Sequence, residues 1–170
     1  MRHAICLLSF TLLTLSTATL AQTCNPAISA DAPDSRYQTA TNGTVLDKQT
    51  GLVWKRCAEG QSWQDGQCKR SPAAFSWLNA LAIAEAATFA GKTDWRLPNQ
   101  KELQSLVEHR CVAPAINLTV FPNAGSGWFW SSSPNAGYRY GAWLVDFNHG
   151  YNPGDDKVGS YAVRLVRAGQ

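Results

Sequence analysis

Trp95-Arg96-Leu97-Pro98-Asn99-Gln100-Lys101-Glu102-Leu103 is the stretch whose reading decides the fold. Pro98 keeps the residue before it out of helical conformation. Asn99, with Glu102 three residues later, has the form of a capping box. The spacing predicts a helix beginning at Asn99, with Leu103, Leu106 and Val107 as its apolar face. It should end near His109, where a positive side chain suits the helix dipole. Upstream, a longer helix is predicted over about 77–90, with Ser76 as its cap. Leu78, Leu81, Ala82, Ala86 and Phe89 then share one face, and Gly91 takes the left-handed C-terminal position.

The flanking segments are β-like. Val45-Leu46 and Leu52-Val53-Trp54 are short strands around a turn at Asp47 to Gly51. Residues 57–70 form a polar loop. In the last third, Trp128-Phe129-Trp130 is one strand, and residues 142–148 alternate Trp143, Val145 and Phe147 against Leu144 and Asp146. Residues 161–167 are the closing strand, and 149–159 a long exposed loop. Trp130 and Trp143 are expected inside. Short strands, two helices and a β-rich C-terminal half make a single α+β domain.

The N-terminus has the layout of a secretory signal peptide: Arg2, an apolar run from Ala4 to Leu20, and a small residue, Ala21, at the cleavage position. Serines and threonines interrupt the run too often for a membrane anchor. Ala21-Gln22-Thr23 before Cys24 lacks the small residues that lipid attachment would need. Residues 1–21 are therefore read as removed, residues 22–41 as a loosely held arm, and residues 42–170 as the domain. About 150 residues then remain, enough for one core. The mature chain would be secreted or periplasmic and would span no membrane. Net charge falls from +3 to +2, since Arg2 is the one charged residue lost. That mild balance gives no reason to expect nucleic acid.

Export leaves Cys24, Cys57, Cys68 and Cys111, an even set in an oxidising compartment. Of the three pairings, Cys57 with Cys68 and Cys24 with Cys111 is preferred. The first closes a short loop, and the second ties the arm to the body. None of the spacings supplies the close pairs of a zinc site.

Four segments, taken together, resemble one known family: Asp47-Lys48-Gln49-Thr50-Gly51-Leu52-Val53-Trp54, the Trp95 to Leu103 stretch, Phe129-Trp130-Ser131-Ser132-Ser133, and Ala162-Val163-Arg164-Leu165-Val166-Arg167. In order and distance they are similar to the Lcl C-terminal-domain family, named for the C-terminal domain of the Legionella collagen-like adhesin. The resemblance covers about residues 42–168. It implies kinship with C-type-lectin-like and formylglycine-generating-enzyme-like folds, hence two helices packed on a mostly antiparallel sheet. That adhesin attaches to anionic polysaccharide through this domain, so the resemblance implies a glycan or surface ligand. The chain lacks the collagen-like repeat, so avidity from repeat-driven assembly does not carry over.

Arg96 and Glu102 are expected to form an architectural ion pair with Arg96 largely buried. Arg164, among apolar neighbours, should meet an acidic partner, Asp47 or Asp94. Nothing after Cys111 is a cysteine, so the thiol chemistry of formylglycine-generating enzymes cannot be transferred. No Ser/His/Asp set stands out, and His149 looks like a solvated loop residue. No catalysis and no cofactor are expected. Phe121-Pro122-Asn123 lacks the ligating first residue of the lectin sugar triplet. Asp146, Asp155 and Asp156 are weak calcium candidates, since loop acids are mostly just solvated.

Surface recognition remains. Lys55, Arg56, Lys69 and Arg70 flank the expected Cys57–Cys68 bridge and could gather four cations on one lobe, suited to anionic or sulfated glycans. Tyr138, Arg139, Tyr140, Asn148, Tyr151 and Asn152 set rigid rings beside amide and guanidinium groups, which suits a carbohydrate or protein surface. The expectation is an exported binding module for glycans, with docking on an envelope protein as the alternative.

Overall fold

The computed structural model describes residues 21–169, so nearly all of the expected signal segment lies outside the described residues. The architecture is α+β and mostly antiparallel, with two helices and two disulfides. In chain order the elements are β1 (Thr23–Cys24), β2 (Tyr37–Thr39), β3 (Thr44–Asp47), β4 (Leu52–Lys55), β5 (Ser62–Gln64), β6 (Gln67–Lys69), α1 (Trp77–Glu85), α2 (Gln100–Gln104), β7 (Cys111–Val112), β8 (Trp128–Pro134), β9 (Gly141–Asp146), β10 (Gly154–Asp156) and β11 (Val166–Ala168). One four-stranded sheet runs β11-β4-β3-β2 and one three-stranded sheet β10-β9-β8. β1 with β7, and β5 with β6, form two small ribbons.

The three-stranded sheet is buried on both faces. Phe129, Val145 and Phe147 join Leu103, Leu106 and Phe121 in one core, while Trp130, Ala142 and Leu144 join Ala80, Ala84 and Trp95 in the other. The period-two alternation of β9 therefore separates two cores rather than core from solvent. That explains the near-continuous apolar run of Ala142 to Val145. Trp130 is fully buried, as expected, and its Nε1 donates to the Phe75 carbonyl at 2.7 Å. Trp143 is only half-buried, a correction that follows from the residue opposite it on the outer strand β10, Gly154, which has no side chain to cover it.

The helices are shorter than their apolar periodicity suggested. α1 ends at Glu85 instead of Ala90, and its buried residues are Ala80 and Ala84, while Leu78 is 69% exposed. Small alanines let the helix approach the sheet closely, and that outweighs the pull of the larger leucine. Gly91 is left-handed, but with Ala90 it turns a tight bend that bridges Phe89 to Lys92, not a helix end. α2 carries the expected capping box: Glu102 N donates to Asn99 Oδ1 at 2.9 Å and Asn99 N donates to Glu102 Oε2 at 2.8 Å. Its α-helical span closes at Gln104, well before His109.

Residues 22–41 are pinned to the body, contrary to the loosely held arm expected. β1 pairs with β7 beside the Cys24–Cys111 disulfide, and β2 completes the larger sheet. The buried Asp47 carboxylate accepts from Arg36 Nε at 2.8 Å and Nη2 at 2.5 Å. It also takes Gln49 N and Thr50 Oγ1, which shapes the β3–β4 turn. Cys57, just after β4, is bonded to Cys68 on β6 as the sequence predicts, and the expected polar loop contains the β5–β6 ribbon.

The closing segment is not one strand. Ala162 pairs beside Phe129 in the smaller sheet, and only Val166–Ala168 runs along β4. Residues 162–166 are thus the seam between the sheets. Arg164 lies in it, fully buried, and meets no carboxylate, since Asp47 is taken by Arg36 and Asp94 by Arg167. Its Nη1 donates to the Lys55 carbonyl at 3.0 Å and also to that of Arg56. Its guanidinium carbon lies 4.8 Å from the Phe121 ring and 5.8 Å from that of Phe129. Burial pushes its pKa down to about 9.

Two predictions follow from this packing. Burial raises the Asp47 pKa, but the bonds from Arg36 and Thr50 outweigh it, and the carboxyl sits below its ordinary value. The stability this gives is full above the ordinary Asp range and is lost as pH falls through the lowered value. Asp47→Asn should cost about 3–5 kcal/mol near neutral pH by urea unfolding and flatten the acid-side loss. An unchanged acid slope would show that Asp47 does not set it. Removing Cys24–Cys111, which spans 87 residues, should cost about 4.5 kcal/mol, against about 3 kcal/mol for Cys57–Cys68, which spans 11. Thermal melts of the two double-alanine variants give that order.

Candidate functional site

The basic lobe expected from the sequence does not assemble as four free cations. Lys55 Nζ pairs with Glu59 Oε1 at 2.5 Å and sits 4.7 Å from the Phe89 ring centre. Arg56 is buried: its Nε donates to the Val120 carbonyl at 2.7 Å, its Nη2 donates to Thr119 O at 3.1 Å, and Trp63 covers it at 4.4 Å. The chain turns inward after β4 because Cys57 is tied beneath the β5–β6 ribbon. Lys69 and Arg70 remain exposed.

Arg96 is paired as expected but not buried. Its two Nη atoms donate to the two Glu102 oxygens at 2.8 Å each, with 45% of the side chain exposed. Its backbone bonds Val166 on both sides, so the segment is anchored through the main chain and the side chain is free to lie outward. The pair edges a cleft of about 600 Å³ with Leu81, Ala84 and Trp95. Arg96, Asn99 and Glu102 bond one another there, and Glu85 and Ser132 complete the polar part of the lining.

The aromatic candidates fall into two groups at opposite ends of one sheet. Register places the β8–β9 tip, with Tyr138, Arg139 and Tyr140, beside the Gly141–Asp156 end of the sheet. Asn148, Tyr151 and Asn152 follow Asp146 at the other end. The six residues of β9 separate the two ends by roughly 17–20 Å. Asp155 and Asp156 belong to the first end and Asp146 to the second, so the calcium candidates are not brought together. Among the described residues no group of three or more His, Cys, Asp and Glu stands where a metal could be held.

At the first end the rings are occupied with neighbours. Tyr138 Oη donates to Asp156 Oδ1 at 2.6 Å, and Arg139 stacks on Tyr140 at 4.4 Å. Lys157 Nζ donates to the Arg139 carbonyl.

The second end forms a groove of about 320 Å³ lined by Trp128, Asp146, Asn148, His149, Tyr151, Ser126 and Gly127. Local chemistry builds it. Asp146 Oδ1 accepts from Asn148 N at 2.8 Å, an Asx turn, and Gly150 N donates to the Asp146 carbonyl at 2.7 Å. Gly150 needs its positive φ of 87°, and a Cβ there would come within 2.8 Å of Val107 Cγ1. The turn is thereby pressed onto the core, and His149 and Tyr151 are held outward. His149 Nδ1 lies 3.0 Å from Asp146 Oδ2, with the acid 2% and the imidazole 60% exposed. The His149 and Tyr151 rings are nearly parallel, 24° apart, with centres at 6.1 Å. Trp128 lines the groove while leaning on Tyr161 at 5.3 Å. Asn152 is half-buried, its Oδ1 without a hydrogen-bond partner.

Trp128 and His149 were not among the expected ligand residues. The signals were present: an Asp-x-x-His spacing ahead of a glycine, and a tryptophan directly after Gly125-Ser126-Gly127. Ser126 lines the same groove as His149 and Asp146, but no hydrogen bond joins its hydroxyl to the imidazole. The nucleophile–base contact of acyl transfer is therefore not made. The groove offers ring faces, an imidazole, an amide, a hydroxyl and one carboxylate.

Comparison with curated proteins finds no match. A profile of the Lcl C-terminal domain matches residues 43–167, from the start of the β3–β4 hairpin through the groove to β11. The chain therefore belongs to the Lcl C-terminal domain family.

Proposed function

We propose that the protein is an exported, non-catalytic binding module that recognises glycans through the groove at the β9–β10 turn. Family membership suggests an adhesin-associated module. The two disulfides, and the lack among the described residues of a helix long and apolar enough to cross a membrane, are consistent with an extracellular or envelope location.

The observation that carries the reading is Trp128, His149 and Tyr151 held around Asp146 and Asn148. Aromatic faces cover the C–H face of a pyranose with little loss of entropy, and the Asn148 amide and the His149 imidazole that Asp146 holds in place meet its hydroxyls. Anionic chains are less well served than the sequence suggested, since Lys55 and Arg56 are engaged inside the fold.

Docking on an envelope protein is the second reading. It is favoured by the opposite end of the sheet, where Tyr138, Tyr140 and Val158 stand 43%, 55% and 85% exposed, next to Lys157 and the Trp77–Leu78 start of α1.

A glycan screen of the oxidised chain tests both. Trp128→Ala and Tyr151→Ala should each weaken a bound glycan at least about tenfold, in line with aromatic anchors elsewhere, with melting temperature as the folding control. Chelation of calcium should leave binding unchanged, because the three acids are split between the two ends. Binding that survives both alanine variants would move the site elsewhere, and silence across the screen would favour the docking reading.

A further inference from the structure

We infer that cleavage after Ala21 makes Gln22 the first residue of the mature chain, and that the folded arm uses its side-chain amide as a latch. Held in that way, Gln22 is closed to the lactam formation that N-terminal glutamines undergo. The inference rests on the export reading above and goes beyond it to the chemistry of the new terminus.

Ala21 is exposed, whereas Gln22 is half-buried. Gln22 Nε2 donates to the Pro114 carbonyl at 2.6 Å and to the Ile116 carbonyl at 2.8 Å. Both hydrogens of the amide are thus used, on two carbonyls of one short segment. The residues that follow are fixed as well. Thr23 is paired with Val112, Cys24 is bonded to Cys111, and Asn25 N donates to the Arg110 carbonyl at 2.8 Å. The same short segment also bonds the groove turn, since Ala113 N donates to Asn148 O and Ala115 N to Phe147 O. Residues 113–116 therefore stand between the mature terminus and the turn that carries Asn148 into the groove.

Lactam formation at such a terminus is an intramolecular acyl transfer. The lone pair of the α-nitrogen attacks Cδ, the Nα–Cδ bond forms and the Cδ–Nε2 bond breaks. Nε2 leaves as ammonia, taking a proton from the amine. The lactam has no NH2 group, so the Pro114 and Ile116 carbonyls would both lose their donor. In the folded chain ring closure must first break two hydrogen bonds and then leave two acceptors unpaired. Nothing opposes it in a free chain. Folding of the arm and ring closure thus compete for one amide, and the Cys24–Cys111 bond favours folding by keeping Gln22 within reach of its carbonyls.

The full-length chain, exported from a bacterial host and purified oxidised, tests this. Its N-terminus is first read by intact and peptide mass. It is then incubated at neutral pH beside the same chain reduced, alkylated and held in urea, and beside an alkylated synthetic peptide of residues 22–29. Ring closure is followed as loss of one ammonia. The folded chain should close at least about tenfold more slowly than the peptide, as expected for two hydrogen bonds that must be given up. The denatured chain should keep pace with the peptide. Gln22→Ala, which cannot form the lactam, should speed hydrogen exchange at the Ala113 and Ala115 amides about tenfold.

A folded chain that closes as fast as the peptide would overturn the inference, as would exchange at Ala113 and Ala115 that Gln22→Ala leaves unaltered. A leader removed at another position would overturn it too, while leaving the export reading standing. A leader still attached after export is attempted would remove the export reading itself.

Discussion

A buried guanidinium that bonds main-chain carbonyls and no carboxylate sits where the two sheets of this domain meet. Arg164 bonds the carbonyls of Lys55 and Arg56 and lies against Phe121 and Phe129. The main chain on either side of it pairs with the same stretch, Lys55 N to Leu165 O and Glu59 N to Val163 O. A buried charge of this kind costs desolvation, and its value lies in specifying one arrangement. Here the arrangement is the crossing of residues 162–166 from the small sheet to the large one. Both cores are closed by that crossing, one through Val163 and Leu165 and the other through Val166.

The groove inherits its shape from this layout. β9 can be buried on both faces only because α1 packs over one side and α2 with the Phe121 segment over the other. With both faces filled, the ends of the sheet are what remain for solvent. Its two turns therefore carry the exposed aromatics, and one end differs from the other in what its turn presents. The Asp146–Gly150 turn is seated on Val107 and Ala115, so its side chains are positioned by the core rather than by the loop alone.

Much of this was legible in the residues. The capping box at Asn99 and Glu102, the turn from Asp47 to Gly51 and the short Cys57–Cys68 loop rest on local chemistry, which is what a sequence displays. The misreadings have a common cause in tertiary context. Arg56 looked like a surface cation because nothing near it in sequence shows that Trp63 covers it and that two carbonyls of a distant loop receive it. Arg164 looked as though it needed an acid, because backbone carbonyls and ring faces are not visible as partners in a string of residue types. Asp146, Asp155 and Asp156 looked close because they are near in sequence, whereas strand register sends them to opposite ends. Trp128 shows in the sequence only as the first residue of a strand, since its role depends on which turn lies opposite it.

The position of the first disulfide bears on how such a module would behave under tension. Cys24 is bonded to Cys111 at β7, and two residues further on Ala113 N donates to Asn148 O, with Ala115 N donating to Phe147 O. A pull applied at Cys24 and resisted by a ligand in the groove would therefore cross one covalent bridge and a short run of backbone bonds. It would run along the part of one core that holds Ala115 and Phe147, and would bypass the other. The mechanical path between tether and ligand is short, and the seam at Arg164 stays outside it, so the domain could bear load without opening its sheets.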